Sequence, residues 1–204
     1  MNEIILFLEN TEFNWDITEI IAVIFSVIYV ILAANEKIWC WIAAIISVSC
    51  YIYICFINNL YAETALQVFY LIMAFYGYYN WNNNKKILTI SEWNISKHIL
   101  IIISGTIAMF IMGFYLTIYT NAKIPIIDSF TTVFSVIATF MVTKKILGNW
   151  LYWIIINITS IYMYYDRELI LTALLFIIYT IIALFGYIKW VRLKQDDKNN
   201  TYRA

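Results

Sequence analysis

Seven long apolar segments, separated by short polar stretches, dominate the pattern of hydrophobic and polar positions along this chain. A helix needs about 20 predominantly apolar residues to cross the hydrocarbon core of a bilayer. The pattern predicts membrane-spanning helices at about 18–34, 38–57, 62–80, 98–119, 126–142, 149–165 and 169–190. The sequence therefore predicts an all-α integral membrane protein with seven transmembrane helices.

The composition supports this class. Hydrophobic residues make up 63% of the 204 positions and charged residues 13%, whereas soluble domains carry about 25% charged residues. The net charge is zero, so nothing favours nucleic acid as a partner. Cys40, Cys50 and Cys55 lack metal-ligand spacing and are interpreted as packing residues. His98, the one histidine, lies at a helix start and is interpreted as interfacial. We therefore predict no metal, no cofactor and no catalytic residue.

Basic residues divide unevenly between the two sides that seven spans define. One side holds only Lys123 and Arg167. The other side holds Lys37, Lys85, Lys86, Lys97, Lys144, Lys145, Lys189, Arg192, Lys194, Lys198 and Arg203. Because cytoplasmic loops are enriched in Lys and Arg, we predict an N-terminus outside and a C-terminus in the cytoplasm.

The two ends of the chain differ in character from the spans. Residues 1–17 mix apolar residues with acids and lack the basic n-region of a cleavable signal peptide, so an interfacial segment is predicted. Residues 191–204 are a cytoplasmic polar tail, and disorder is predicted for the stretch from Lys194 to Arg203.

An internal repeat relates the two halves of the chain. A shift of about 109 residues places 19–81 on 128–190 without a gap, with about 17 identities. The identities include Trp41 on Trp150, Tyr70 on Tyr179, Gly77-Tyr78 on Gly186-Tyr187 and Trp81 on Trp190. Each copy has three spans, so one linker helix must intervene for both copies to run the same way. We predict a 3+1+3 architecture of parallel repeats, a type that occurs in transporters with the substrate between them.

These boundaries divide the chain into five parts. They are the N-terminal interfacial segment (1–17), the first three-helix repeat (18–81), a cytoplasmic loop with the linker helix (82–125), the second repeat (126–190) and the tail (191–204).

Polar residues follow one helical face in two of the spans. The third span carries Glu63, Gln67 and Tyr70 at helical spacing, and the sixth carries Trp153, Asn157, Ser160 and Tyr164. Amides in membrane helices often hydrogen-bond neighbouring helices, which is worth about 0.6–2 kcal/mol.

The repeat favours a ligand over that packing role. At the 109-residue offset, Trp153 and Asn157 correspond to Ala44 and Val48, while Gln67 corresponds to Phe176. Residues with a packing role would more often be shared by both copies, whereas an asymmetric ligand requires different side chains from the two repeats. The indole of Trp153 also suits a flat, cationic ring.

Charged residues lie only near the ends of the predicted spans. Ion-driven carriers usually place carboxylates in the membrane interior. The pattern therefore indicates a facilitator without ion coupling.

Several stretches resemble the PnuC-type vitamin transporter family of bacteria, over about residues 18–190. They are Leu60-Tyr61-Ala62-Glu63, Leu66-Gln67-Val68-Phe69-Tyr70, Tyr76-Gly77-Tyr78-Tyr79-Asn80-Trp81, Asn149-Trp150-Leu151-Tyr152-Trp153 with Asn157, Leu171-Thr172-Ala173 and Gly186-Tyr187-Ile188-Lys189-Trp190. The most specific element is the tryptophan-x-x-x-asparagine pattern at Trp153 and Asn157.

The resemblance implies a fold like that of a full-length SWEET sugar transporter in the bacterial inner membrane. It also implies uptake of nicotinamide riboside by facilitated diffusion, with trapping by cytosolic phosphorylation. Contacts with the nicotinamide are implied for Trp153 and Asn157, and a position lining the site for Gln67. Relatives are thought to carry thiamine or riboflavin, and members form homo-oligomers.

Two other classes stay open as alternatives from the residues alone. A seven-helix receptor or retinal protein shares the topology, but a retinal Schiff base needs a lysine deep in the last span, where only Lys189 occurs, at the cytoplasmic end. A membrane enzyme would need a histidine cluster, a Ser/His/Asp set or paired interior carboxylates, and none is evident in the sequence.

Overall fold

The computed structural model describes residues 17–58, 60–82, 88–120 and 122–201, which form seven α-helices. Their bounds are α1 (Ile17–Ala34), α2 (Cys40–Ile57), α3 (Tyr61–Trp81), α4 (Ile95–Tyr119), α5 (Pro125–Thr143), α6 (Asn149–Asp166) and α7 (Ile170–Thr201). Local signals in the sequence explain several of these boundaries. Pro125 occupies the first turn of α5, where its missing N–H costs nothing. Asn94 caps α4 by accepting a hydrogen bond from the Lys97 backbone N–H at 3.0 Å.

The seven predicted segments are confirmed as helices, but their apolar character differs. By length and composition, five of the described helices are able to cross a membrane, namely α1, α2, α4, α5 and α7. The remaining two, α3 and α6, each contain several tyrosines and two amides among their apolar residues. These two helices carry all of the candidate site residues.

The predicted disorder of the C-terminal tail is wrong for most of its length. Helix α7 continues through Thr201, well past the end of the predicted span at 190. An ion pair between Lys194 and Glu92 ties this extension to the loop before α4. A helix already nucleated by the span adds residues at little cost, so a polar composition alone does not end it. The predicted interfacial segment lies outside the described residues except for Ile17.

Helix contacts follow the same scheme in both halves of the chain. Helix α2 packs between α1 and α3, and α6 packs between α5 and α7. The two groups meet through α1 against α7 and α3 against α5, while α4 packs on α5. Below, α1–α3 are called the first bundle and α5–α7 the second bundle. At the 109-residue offset the α1–α7 contact corresponds to the α5–α3 contact.

The connections gather at two ends of the molecule. The basic end is defined by the α1–α2 turn (35–39), the loop 88–94, the α5–α6 turn (144–148) and the last part of α7. Contacts between these parts include a hydrogen bond from the Ser91 backbone N–H to the Lys145 carbonyl at 3.0 Å. At the opposite end of the molecule, ion pairs join Lys123 to Asp166 and Asp128 to Arg167. The contacts between these connections thus fall within the two sets that the sequence predicts.

Tryptophan–glycine contacts hold each bundle together near the basic end. The Trp41 ring packs directly over Gly77, and the Trp150 ring packs over Gly186. Trp41 meets Trp81 edge-on with centroids 5.4 Å apart, and Trp150 meets Trp190 in the same way at 5.4 Å. Glycine lets the backbone approach an indole this closely because it has no Cβ. Residues 109 positions apart thus make matching contacts.

Candidate functional site

The candidate site residues lie on two helices whose backbones do not touch each other. Within the described chain, α3 contacts α2 and α5, whereas α6 contacts α5 and α7. Helix α5 is their common neighbour, so the polar faces of α3 and α6 lie on either side of it. Any contact between the two helices is therefore made by side chains rather than by the backbones.

The α6 face is buried although it contains polar side chains. Asn157 is 3% exposed and Ser160 is 2% exposed. Trp153, one turn before Asn157, is half-buried and packs against the cluster of Phe134, Ala138 and Ile156. The sequence prediction that one face of α6 points inward is therefore consistent with the burial of each of these side chains.

The amide of Asn157 makes no hydrogen bond to any other described residue, and the same is true of the half-buried Gln67 amide. An interhelical packing role would require such a bond. Leaving a buried amide unpaired costs about 1–3 kcal/mol, and buried polar groups are hydrogen-bonded in the large majority of cases. The buried Asn157 amide is therefore able to hydrogen-bond a ligand, and Gln67 offers a second amide that is half-buried.

Tyr70 and Glu63, the other predicted residues of α3, differ in position. The Tyr70 hydroxyl lies beside Ser135 of α5 and near Tyr164 of α6. The structure therefore brings these predicted residues of α3 and α6 to a common region next to α5. Glu63 is exposed in the first turn of α3, although its charge is close enough to act on Tyr164.

Helix α7 adds residues that the sequence predictions missed. Tyr179 forms a short hydrogen bond with Ser26 of α1, and this pair corresponds to Tyr70 and Ser135 at the 109-residue offset. Phe176 stacks on Tyr164 with centroids 5.2 Å apart and planes 22° apart, and Tyr179 meets Phe176 edge-on at 5.7 Å. Identity of both Tyr and Ser in the two repeats was the signal available in the sequence.

An ion pair lies at the end of the molecule opposite the basic end. One Arg167 guanidinium nitrogen contacts both Asp128 carboxylate oxygens, at 2.6 and 2.8 Å. Each side chain is about a quarter exposed or less, so the pair is partly shielded from screening by salt. The pair joins the start of α5 to the end of α6 and leaves Arg167 without a free charge for an anionic ligand.

Two grooves lie elsewhere in the structure, away from the candidate site residues. A groove of about 230 Å³ lies between α1 and α7 and is lined by residues such as Ile31 and Lys189. Another, of about 380 Å³, lies between α4 and α5 and is lined by residues such as Gly105 and Val136. Both are open grooves between neighbouring helices. No group of His, Cys, Asp or Glu able to hold a metal ion occurs among the described residues.

The arrangement defines a multi-pass helical membrane protein with an interior that combines amides, hydroxyls and aromatic rings. Small-molecule sites have this character, with a few polar groups set in an aromatic wall. A family model described as "Nicotinamide mononucleotide transporter" matches residues 16–192. The chain therefore belongs to the nicotinamide mononucleotide transporter family. It is a transporter rather than an enzyme.

Characterised relatives carry a more specific name. The nicotinamide riboside transporter PnuC of Escherichia coli (strain K12) is 27% identical over 206 residues, covering 87% of this chain and 86% of the relative. PnuC of Neisseria mucosa is 24% identical over 193 residues, covering 85% and 71%. PnuC of Haemophilus influenzae is 27% identical over 181 residues, covering 82% and 76%.

A solved structure supports the fold. The chain is similar to the structure titled "Crystal structure of the Vitamin B3 transporter PnuC", with a TM-score of 0.73 and 20% sequence identity. The similarity covers 96% of this chain and 88% of the other. The helical arrangement described above is thus one that a transporter of this family adopts.

Proposed function

We propose that this protein takes up nicotinamide riboside across the bacterial cytoplasmic membrane. The observation that carries the proposal is the buried Asn157 amide, which has no hydrogen-bond partner among the described residues and follows Trp153 by one helical turn. Gln67 of α3 offers a second amide. The carboxamide of nicotinamide offers two donors and an acceptor, which match two side-chain amides, and its cationic ring suits an aromatic wall. The relatives named as nicotinamide riboside transporters support this choice.

The proposed site includes Trp153, Asn157, Ser160 and Tyr164 of α6 and Glu63, Gln67 and Tyr70 of α3. Asn157 and Gln67 would hydrogen-bond the ligand, and Trp153 would cover its ring. Tyr70 and Tyr164 would contact the ribose side, and Glu63 would attract the cation from the opposite end.

Binding to purified protein tests the site. Trp153→Ala and Asn157→Ala are expected to weaken binding of radiolabelled nicotinamide riboside at least about tenfold, as expected for the loss of a ring contact or of hydrogen bonds to a buried ligand. Thr159→Ala is the matched control, because the Thr159 hydroxyl bonds only within α6, to the Ile155 carbonyl at 2.9 Å. Undiminished binding by both site variants would refute the site. Binding of thiamine or riboflavin instead of the riboside would refute the substrate.

The proposed mechanism is facilitated diffusion, followed by trapping of the riboside through cytosolic phosphorylation. The described helices carry their charged side chains near the ends rather than in the middle, which supports transport without a coupling ion. In proteoliposomes at zero membrane potential, the internal concentration of the riboside is expected to reach the external concentration and not to exceed it. Accumulation driven by an imposed pH or sodium gradient would contradict this mechanism.

The proposed architecture is 3+1+3, with parallel repeats as in full-length SWEET transporters and α4 as the linker. Matching contacts at the 109-residue offset support it, including Trp41 on Gly77 and Trp150 on Gly186. The uneven distribution of Lys and Arg supports a basic end in the cytoplasm. Assembly into homo-oligomers is proposed from the family resemblance alone.

A further inference from the structure

We propose that the basic end carries a gate, made of Trp81, Trp190, Glu36 and Lys145, that closes the interior and must break for it to open to that side. Each of these side chains crosses from one bundle to the other. The gate is distinct from the proposed ligand contacts, since none of its four residues belongs to the proposed site and all four lie at the basic end of the molecule.

Two indoles form matching hydrogen bonds between the bundles. Trp81 of the first bundle donates its Nε1–H to the Val142 carbonyl at 3.3 Å. Trp190 of the second bundle donates to the Ala33 carbonyl at 3.1 Å. Both the donors and the acceptors are related by the 109-residue offset. The two indoles also pack against each other, with centroids 6.2 Å apart, so they form one continuous closure where the bundles meet.

An ion pair completes the closure between the two turns. Lys145 Nζ lies 2.6 Å from Glu36 Oε1, and the Lys145 ammonium also lies 4.7 Å from the Trp81 ring centroid. Glu36 and Lys145 are related by the same offset, and both have left-handed backbones, with φ of 56° and 50°. The repeat thus puts opposite charges at equivalent positions, which lets the two turns attract each other.

The closed arrangement contains unpaired polar groups that favour its opening. The Nε1–H groups of Trp41 and Trp150 are buried and have no hydrogen-bond partner among the described residues. Unpaired buried donors carry a desolvation penalty, which water reaching these indoles would relieve. Contacts that favour closure are therefore opposed by two donors that gain from contact with water.

The loop before α4 indicates which side of the gate moves. Ser91 exchanges backbone hydrogen bonds with the α5–α6 turn, accepting from Leu147 at 2.8 Å and donating to Lys145 at 3.0 Å. The Glu92–Lys194 ion pair fixes the same loop to α7. The second bundle is thus braced at this end, so we expect the α1–α2 turn to move away from it.

Cys40 provides a native reporter of gate opening, since its side chain is 0% exposed and lies in one cluster with Trp41 and Trp190. In purified Cys50→Ala/Cys55→Ala protein, the rate of N-ethylmaleimide modification is followed by intact mass. Glu36→Ala and Trp190→Phe are expected to speed modification about tenfold, because each removes one partner of a largely buried contact. Both variants keep Lys145, whose charge favours the Cys40 thiolate. Glu36→Asp, which keeps the carboxylate, is expected to speed modification less than Glu36→Ala.

Two controls separate gate opening from general destabilisation. Lys123→Ala removes an ion pair at the opposite end and is expected to leave the rate unchanged. In a Cys40→Ala/Cys50→Ala background, Cys55 reports on the far end of α2 and is expected to stay slow when Glu36→Ala is added. An unchanged Cys40 rate in Glu36→Ala, equal acceleration at Cys55, or acceleration by Glu36→Asp as large as by Glu36→Ala would each overturn the gate. None of these readings depends on the identity of the ligand.

Discussion

Asn157 is the residue at which packing and ligand binding make opposite predictions. If its amide joined helices, an apolar replacement would destabilise the protein. If it is kept for a ligand, Asn157→Leu removes an unpaired buried amide at similar volume, which is neutral or stabilising. We expect an unchanged or higher melting temperature and the loss of the thermal shift caused by nicotinamide riboside. A lower melting temperature with the ligand-induced shift retained would support the packing role.

Phe176 is the aromatic counterpart of Gln67 on the other side of the interior, and Tyr164 and Tyr179 hold its ring in place. A ring so placed would attract a cationic ligand through cation–π contact, by about 0.5–2 kcal/mol. Phe176→Leu is therefore expected to weaken binding of nicotinamide riboside several-fold, while its uncharged dihydro form loses less. Binding affinity is measured by calorimetry. An equal loss of affinity for the two forms would show that the Phe176 ring has a purely steric role.

At the scale of the helices, the close tryptophan–glycine contacts set the spacing within each bundle. A methyl group at Gly77 or Gly186 would overlap the facing indole. Helix propensity favours Ala over Gly by about 1 kcal/mol, but overpacking costs about 1–3 kcal/mol, so Gly77→Ala and Gly186→Ala should both lower the melting temperature. Gly105→Ala is the matched control, because its methyl would lie 3.0 Å from Ile137 Cδ1 and 3.1 Å from Phe134 Cζ, farther than the indoles lie at Gly77 (2.3 Å) and Gly186 (2.8 Å). A loss as large in the control would show that any added methyl destabilises these helices.

The helices also show why hydropathy and position must be considered together. Tyrosines and two amides in each helix lower the apolar character of α3 and α6, the helices that carry the proposed site. Burial in protein removes the need for a wholly apolar surface, since only lipid-facing positions must be apolar. The two least apolar helices are therefore the ones to search for a site.

At the scale of the whole molecule, the orientation in the membrane is a prediction from the charges. In a background with Cys40, Cys50 and Cys55 replaced by Ala, Lys123→Cys should react with an impermeant maleimide added to intact cells. Lys37→Cys, also exposed, should react only after the cells are opened. The opposite labelling pattern would reverse the orientation and would place the proposed gate outside.

The sequence by itself determined the seven helices, the two sets of loops and the family. These features depend on local composition, because a helix satisfies its backbone hydrogen bonds within one segment and lipid selects apolar side chains along it. Trp153 and Asn157 were evident for the same reason, as polar residues in an apolar helix.

Only the tertiary structure decided which distant side chains meet. The Glu36–Lys145 pair and the Tyr179–Ser26 bond join the two bundles, and the Phe176–Tyr164 stack joins two helices of one bundle. Their formation depends on how the helices pack. The continuation of α7 beyond its span likewise depends on a loop that reaches it from elsewhere in the chain. Interhelical contacts of this kind follow from shape and the pairing of polar groups rather than from the apolar pattern, so the pattern that predicts each helix does not predict its neighbours.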